Sequence, residues 1–188
     1  MKIRMPRISA LAPLALALTL CSARADISGC TCELGSAGSI EAHWCGLCRI
    51  AEEQPAGVEF FFLKDSSPFK PNRWLLLPRA HWDGPGLFEK LTPAQRTRLW
   101  TAAIARARAL WGGEWGLALN GDGSRTQCHL HIHIGKLLRG VESGTVVVVN
   151  GPAQIPAPRD GTGLWIHPYG RKLHVHVGEQ VAETVLLR

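Results

Sequence analysis

The stretch Gln127-Cys128-His129-Leu130-His131-Ile132-His133-Ile134-Gly135 alternates three histidines with three aliphatic residues. A period of two is typical of a β-strand, in which successive side chains point to opposite faces of the sheet. The three imidazoles are therefore expected to share one face. The aliphatic side chains share the other face, which must pack into the core.

A polar loop with two glycines, residues 120–127 (NGDGSRTQ), comes immediately before the histidines. Its backbone amides, together with the side chains of Arg125, Thr126 and Gln127, are suited to hold an anion against the imidazole row. Neutral imidazole is a nucleophile near pH 7, and it can attack phosphorus without a metal if donors hold the charge on the phosphate oxygens. The pattern thus indicates phosphate chemistry. The alternatives are a half-buried strand that carries histidines by accident, or a patch that collects metal.

The histidine stretch resembles the signature strand of the histidine-triad superfamily of nucleotide hydrolases and transferases. Residues 62–68 (FLKDSSP) and 74–81 (WLLLPRAH) agree, since they are similar to that superfamily's nucleotide-binding hairpin. The resemblance covers residues 44–138. The spacing from Asn120 to His129 is shorter than in the common small members and looks more like the CDP-diacylglycerol pyrophosphatase branch.

The resemblance implies a covalent mechanism in which His131 takes up a nucleotidyl group and water then releases it. His129 and His133 flank the nucleophile as donors to phosphate oxygens. The implied substrate-binding side chains are the ribose-gripping aspartate, the loop asparagine and three diphosphate-holding residues: Asp65, Asn120, Arg125, Thr126 and Gln127.

Ordinary roles remain open for some of these residues. Asp65 also fits a turn former ahead of Ser-Ser-Pro, and Arg125 also fits an ordinary loop arginine. Leu63 and Leu77 are expected to form walls of the base pocket.

The cysteines have two interpretations. By resemblance, a structural zinc would be held by Cys45, Cys48, His81 and His129, although no cofactor is required for the chemistry. Export favours disulfides instead, and Cys30, Cys32, Cys45 and Cys48 could form two of them. Both interpretations stay open, with disulfides slightly favoured. Cys128 would then be a lone buried thiol that points away from the histidines.

The first 25 residues read as a secretory signal peptide, with a basic start, an apolar run and the small-x-small site Ala23-Arg24-Ala25. Removing them takes away four basic residues and no acid, so the formal net charge of +6 falls to +2. This balance does not indicate a nucleic-acid-binding surface. The sequence therefore predicts an exported, periplasmic protein. An uncleaved membrane anchor and lipidation of Cys21 are the alternatives.

The sequence predicts an α+β fold with a histidine-triad-like antiparallel sheet, one long helix and a C-terminal β-hairpin extension. The expected helix begins at the capping box of Thr92 and Gln95 and runs to Trp111. The expected divisions are a signal peptide (1–25), a cysteine-containing arm (26–43), a catalytic domain (44–140) and a C-terminal β extension packed on the same domain (141–188).

Taken together, the sequence predicts a hydrolase that cleaves CDP-diacylglycerol into CMP and phosphatidate. The alternatives are a hydrolase of soluble nucleotides, such as dinucleoside polyphosphates or nucleoside phosphoramidates, and a non-catalytic periplasmic metal- or nucleotide-binding module in which His174 and His176 lie beside the triad. Exposed tryptophans are expected to contact the bilayer peripherally. A homodimer is an expectation from the superfamily.

Overall fold

The computed structural model describes residues 46–81, 86, 88–142 and 144–188. Within these ranges the fold is mixed α/β, with two α-helices and one seven-stranded antiparallel sheet. The helices are α1 (Gly46–Glu52) and α2 (Pro93–Trp111). The strands are β1 (Phe60–Lys64), β2 (Trp74–Pro78), β3 (Trp115–Leu119), β4 (Ile132–Lys136), β5 (Thr145–Val149), β6 (Gly163–Tyr169) and β7 (Lys172–Glu179). The predicted signal peptide and cysteine-containing arm lie outside the described residues.

The strands are ordered β1-β2-β4-β3-β6-β7-β5 across the sheet. The predicted hairpin is present as β6 and β7, and β6 pairs with β3 while β5 pairs with β7. The C-terminal part therefore contributes three strands that continue the same sheet.

Helix α2 covers one face of the sheet. Its start is set by Thr92, whose side chain accepts from the backbone of Gln95 while the Gln95 side chain accepts from the Thr92 backbone, as the capping box predicts. Its buried side chains pack on the sheet in the main core with the aliphatic residues that alternate with the histidines: Leu99, Trp100, Ala103, Ile104 and Ala107 from the helix, Leu130, Ile132 and Ile134 from the histidine stretch. The prediction that these aliphatic residues face the core is confirmed.

The opposite face of the sheet is covered in two places. Helix α1 packs over β1 and β2 through Leu47, Cys48 and Ala51. The chain's return at residues 182–186 packs over Ala118 and Trp165. A cavity lies between α1 and the segment of residues 182–186.

Cross-strand register places one row of side chains across this second face. His133 pairs with Ala118, Ala118 with Trp165, and Trp165 with His176. Because directly paired residues share a face of the sheet, His133 and His176 point to the same side at opposite ends of the row.

Among the described residues, no helix combines the length and apolar character needed to cross a bilayer. The expectation of exposed tryptophans is wrong for the tryptophans in this part of the chain. Trp100, Trp115 and Trp165 are fully buried, and Trp74 and Trp111 are partly buried. Large indoles lie in the core here because the sheet has enough covered area to bury them on both faces.

Candidate active site

A cavity of about 420 Å³ opens between α1, the β1–β2 turn, the loop before β4 and the C-terminal return. This volume lies within the range of about 300–1,000 Å³ that is usual for small-molecule sites. Seven of the eight residues predicted to be catalytic or substrate-binding line it: Asp65, Asn120, Arg125, Thr126, Gln127, His131 and His133. The structure thus brings together residues that are far apart in the sequence.

The eighth predicted residue, His129, lies outside the cavity lining. Strand β4 begins only at Ile132, so His129 and His131 precede the strand instead of lying on it. Continuing the register would place Leu130 opposite Pro78, which has no N–H to donate, so the ladder with β2 stops at Leu76–Ile132. The prediction of one strand carrying all three imidazoles is therefore wrong. His129 instead turns toward the end of β2.

His131 has the tautomer that a nucleophile needs. Its Nδ1 lies 2.8 Å from the carbonyl oxygen of His129, and a carbonyl can only accept, so Nδ1 donates its proton there. The lone pair is then on Nε2. Burial lowers the pKa of His131 below its ordinary value, although the bond to the His129 carbonyl partly offsets this effect. The ring is therefore neutral at pH 7.

His133 stands next to His131 with its ring edge-on, at a centroid distance of 4.8 Å. Burial lowers its pKa well below the ordinary value. Neither of its ring nitrogens has a hydrogen-bond partner in the described part of the chain. Because buried polar atoms are normally paired, this ring is available to a group that enters the cavity.

The sequence-based interpretation missed Glu183, which enters the cavity from the C-terminal return. One carboxylate oxygen lies 2.6 Å from Lys70 Nζ, 2.5 Å from Arg73 Nη1 and 3.7 Å from His133 Nδ1. Burial raises the pKa of Glu183, but His133, Lys70 and Arg73 together outweigh burial and lower it to about 2. Glu183 is thus a carboxylate at every working pH.

Two side chains fix the segment that carries Glu183. Asn120 accepts from the Glu183 backbone N–H at 2.9 Å and donates to its carboxylate at 3.4 Å. Arg73 is 2% exposed and donates to the carbonyl oxygens of Glu183, Leu186 and Leu187. The role of Asn120 in this structure is therefore to hold the C-terminal return.

Asp65 combines the two roles considered for it. Its carboxylate accepts from the Ser67 backbone N–H at 2.9 Å, which forms the turn, and it also lines the cavity. The apolar wall includes Leu63 and Leu75, which are cross-strand partners, and Leu47 and Ile50 from α1. Leu77 was predicted to form this wall, but it is buried in the core beneath α1.

The loop before β4 differs from a typical anion-binding loop. The backbone amides of Gly121, Asp122, Ser124 and Arg125 all donate to backbone carbonyls, so they cannot also bind an anion. The loop's charge comes instead from Arg125, which is 2% exposed and paired with Asp122 at 2.5 Å. The expected cradle of backbone amides is thus replaced by side chains.

A group that could hold a metal lies behind the triad. One donor atom from each of Cys48, His81 and His129 falls within 4.8 Å of the other two. His129 Nε2 donates to the Pro78 carbonyl at 2.6 Å, so its Nδ1 carries a lone pair 3.3 Å from His81 Nδ1. Burial lowers the pKa of both imidazoles, that of His129 to about 3. Neutral imidazoles and a buried thiol are ligands that suit Zn²⁺.

The disulfide expectations are wrong at both described cysteines. Cys48 is a buried thiol, and Cys128 is disulfide-bonded. Which cysteines pair depends on tertiary proximity, which spacing in the sequence does not determine. Cys30, Cys32 and Cys45 lie outside the described residues.

The second pair of histidines does not adjoin the triad. His174 and His176 are on β7, three strands from β4, a distance of about 14 Å at roughly 4.8 Å per strand. They form a separate group with Glu142 and His167.

No protein-family model matches the chain, and no curated protein matches it.

Proposed function

We propose that this chain is a phosphoanhydride hydrolase of the histidine-triad type, which cleaves CDP-diacylglycerol into CMP and phosphatidate. The observation that carries the proposal is the hydrogen bond from His131 Nδ1 to the His129 carbonyl, at the wall of a ligand-sized cavity. That bond puts the lone pair of a neutral imidazole on Nε2. A neutral nucleophile beside grouped phosphate-binding residues is what nucleotidyl transfer requires.

In the first step, Nε2 of His131 attacks the α-phosphorus of the diphosphate. The N–P bond forms as the bond to the bridging oxygen breaks, and the electron pair leaves with phosphatidate. In the second step, water attacks the same phosphorus and the N–P bond breaks. CMP leaves, the electron pair of that bond returns to His131 Nε2, and the water's proton passes to the lone-pair nitrogen of His133 or to solvent.

Charge on the phosphate oxygens is held by the basic groups of the cavity. Arg125 is anchored by Asp122, and Lys70 by Glu183, so both cations are fixed before substrate arrives. Fixed donors in a water-poor site stabilise developing charge with little reorganisation. Glu183 also offsets part of this positive charge near His133.

The group of Cys48, His81 and His129 fits a structural zinc site, and the fourth ligand implied by resemblance is Cys45. A metal bound there would hold α1 against the end of β2. It would also fix the carbonyl of His129, to which the nucleophile donates. A metal bound by these residues would thus serve to position the histidines.

A lipid substrate is supported by the turn at the cavity mouth. Phe69 is 78% exposed, and its neighbours Ser67 and Lys70 line the cavity. An exposed aromatic ring beside a lysine suits contact with a lipid interface. This placement agrees with an exported protein that meets its substrate at a bilayer surface.

The test is to trap the covalent intermediate. The protein is mixed with CDP-diacylglycerol in detergent micelles, quenched in base, where phosphohistidine survives, and digested for mass spectrometry. We expect a cytidylyl group on His131, and we expect His131→Gly to lose turnover and regain part of it with added imidazole. Turnover without an adduct, or full activity in His131→Gly, would refute the mechanism.

Substrate class is tested with the same preparation. CMP release from CDP-diacylglycerol micelles is compared with AMP release from soluble dinucleoside polyphosphates and adenosine phosphoramidate. We expect the lipid substrate to have the higher kcat/KM. An equal or higher kcat/KM for the soluble nucleotides would leave the proposed reaction in place and identify a soluble nucleotide as its substrate.

A further inference from the structure

Four side chains converge near the far end of the sheet, away from the cavity: Glu142, His167, His174 and His176. Two strands and the loop before β5 supply them, since His167 is on β6 and the other two histidines are on β7. We infer that this group is a second metal site, which binds a divalent first-row transition metal. Its three imidazoles and one carboxylate are donors that suit Zn²⁺.

The distances between the donor atoms match a tetrahedral ion. Ligands at about 2.0–2.1 Å from Zn²⁺ lie about 3.3–3.4 Å from one another, because a tetrahedral edge is about 1.63 bond lengths. In the structure, His167 Nε2 lies 3.3 Å from His176 Nε2 and 3.1 Å from Glu142 Oε1. His176 Nε2 lies 3.3 Å from Glu142 Oε2, and His174 Nδ1 lies 3.7 Å from Glu142 Oε1. Little movement is needed to admit the ion.

The tautomer of His167 favours a cation at the centre. Its Nδ1 lies 3.1 Å from the Pro168 carbonyl oxygen and donates to it, so a neutral His167 presents a lone pair from Nε2. That lone pair faces a carboxylate oxygen, and the two acceptors repel each other unless a proton or a metal cation lies between them. A backbone carbonyl behind a ligating imidazole is also the usual way that proteins fix the metal-binding tautomer.

Two further observations point to a ligand. His174 Nδ1 is buried and has no hydrogen-bond partner in the described part of the chain, yet it faces the group. His176 is fully buried and stacked on Trp165, with ring centroids 3.5 Å apart and an interplanar angle of 8°. Rings held so firmly lose little conformational entropy on binding an ion.

This site is separate from both groups of the cavity. His176 is fixed three strands away from His133 in the same row, and Trp165 lies between them. Glu142 comes from the loop that joins β4 to β5, so an ion here would tie that loop to the β6–β7 hairpin. The inference therefore does not depend on the hydrolase proposal.

The test is a Zn²⁺ titration of untagged, metal-stripped protein with the Cys48→Ala substitution, which removes the thiol ligand behind the triad. Competition with a chromophoric chelator gives the affinity and the number of ions bound. Substitution with Co²⁺ gives a visible spectrum that reports tetrahedral nitrogen and oxygen ligands, without the thiolate charge-transfer band that Cys48 would produce.

We expect the Cys48→Ala protein to bind Zn²⁺ with a tetrahedral Co²⁺ spectrum. We expect Glu142→Gln and His174→Ala, added singly, each to weaken binding on the order of tenfold or more. Glu179→Gln, on the same strand but outside the group, should leave it unchanged. Glu142 is a surface side chain, so its variant keeps the test informative if His174→Ala does not fold.

Three results would overturn the inference. The first is the absence of Zn²⁺ binding in the Cys48→Ala protein. The second is binding that survives His174→Ala undiminished. The third is a loss of Zn²⁺ affinity in His174→Ala with unchanged affinity in Glu142→Gln, which would refute the assignment of four ligands.

Discussion

The buried carboxylate of Glu183 makes a prediction whose size follows from the structure. Its pKa of about 2, against an ordinary 4.5, corresponds to about 3 kcal/mol at 1.36 kcal/mol per pKa unit. Because the folded-state pKa is depressed, this stabilisation is fully present above pH 4.5 and is lost as the pH falls toward 2. Linkage therefore gives a loss of about 2 kcal/mol between pH 7 and pH 3 from this group.

Replacing Glu183 by glutamine removes both the charge and its titration. At pH 7 the variant leaves the guanidinium of Arg73 buried without its counter-charge, so we expect a loss of about 3 kcal/mol, near the lower end for broken buried pairs. At pH 3 the deficit should shrink to about 1 kcal/mol, since the wild type has by then lost most of the same stabilisation. The two stability curves should thus converge in acid.

Urea unfolding followed by circular dichroism at pH 7, 5 and 3 measures this difference directly, because the midpoint and slope give the free energy of unfolding. Glu179→Gln is the matched control, since it removes a partly exposed carboxylate from the neighbouring strand β7. If the difference in the free energy of unfolding between the wild type and Glu183→Gln stays constant with pH, the lowered pKa of Glu183 is refuted. If the two proteins have the same free energy of unfolding at pH 7, the ion pair of Glu183 and Arg73 does not stabilise the fold.

Four further predictions follow from the site and the fold. The loss of turnover on acidification should be centred below pH 6.5, because burial lowers the pKa of His131 from its ordinary value. An activity loss centred at or above 6.5 would contradict this. Gly163→Ala should lower the free energy of unfolding by about 1–3 kcal/mol in thermal unfolding, because a Cβ there would lie 2.1 Å from the Leu119 carbonyl oxygen. Gly151→Ala should leave it unchanged, because a Cβ at that position has nothing within 4 Å. Phe69→Ser should raise KM for micellar CDP-diacylglycerol by about tenfold, since burying a phenyl ring contributes about 1.5–3 kcal/mol, and should leave a soluble CDP-alcohol unaffected; equal effects on both would refute the lipid contact. Cys48→Ala should lower the zinc content of untagged protein by one equivalent in elemental analysis, and an unchanged content would exclude the thiol as a ligand.

Local signals in the sequence predicted the elements well. Thr92, Pro93 and Gln95 set the start of α2, and the helix ends at Trp111 as expected. Alternation predicted correctly that Ile132 and Ile134 face the core. These features depend on neighbours within a few residues, so the sequence states them directly.

Features that depend on distant parts of the chain were missed. Glu183 has no motif around it, and it reaches the cavity only because Arg73 and Asn120 bind its backbone. The end of the β4 ladder is set by Pro78, a residue of another strand. The amides of the loop before β4 looked available in sequence, but backbone carbonyls of other segments, such as Gly161 and Gln180, already accept from two of them.

The stacking of Trp165 on His176 has a practical consequence. An indole whose face lies 3.5 Å from an imidazole changes its fluorescence when that imidazole gains a proton or coordinates an ion. Trp165 is one of seven tryptophans, so the difference in emission between the wild type and Trp165→Phe gives an optical report on the β6–β7 hairpin without a label. Because the same indole neighbours Ala118 in the row that ends at His133, its signal can also show whether filling the cavity is sensed at the other end of the sheet.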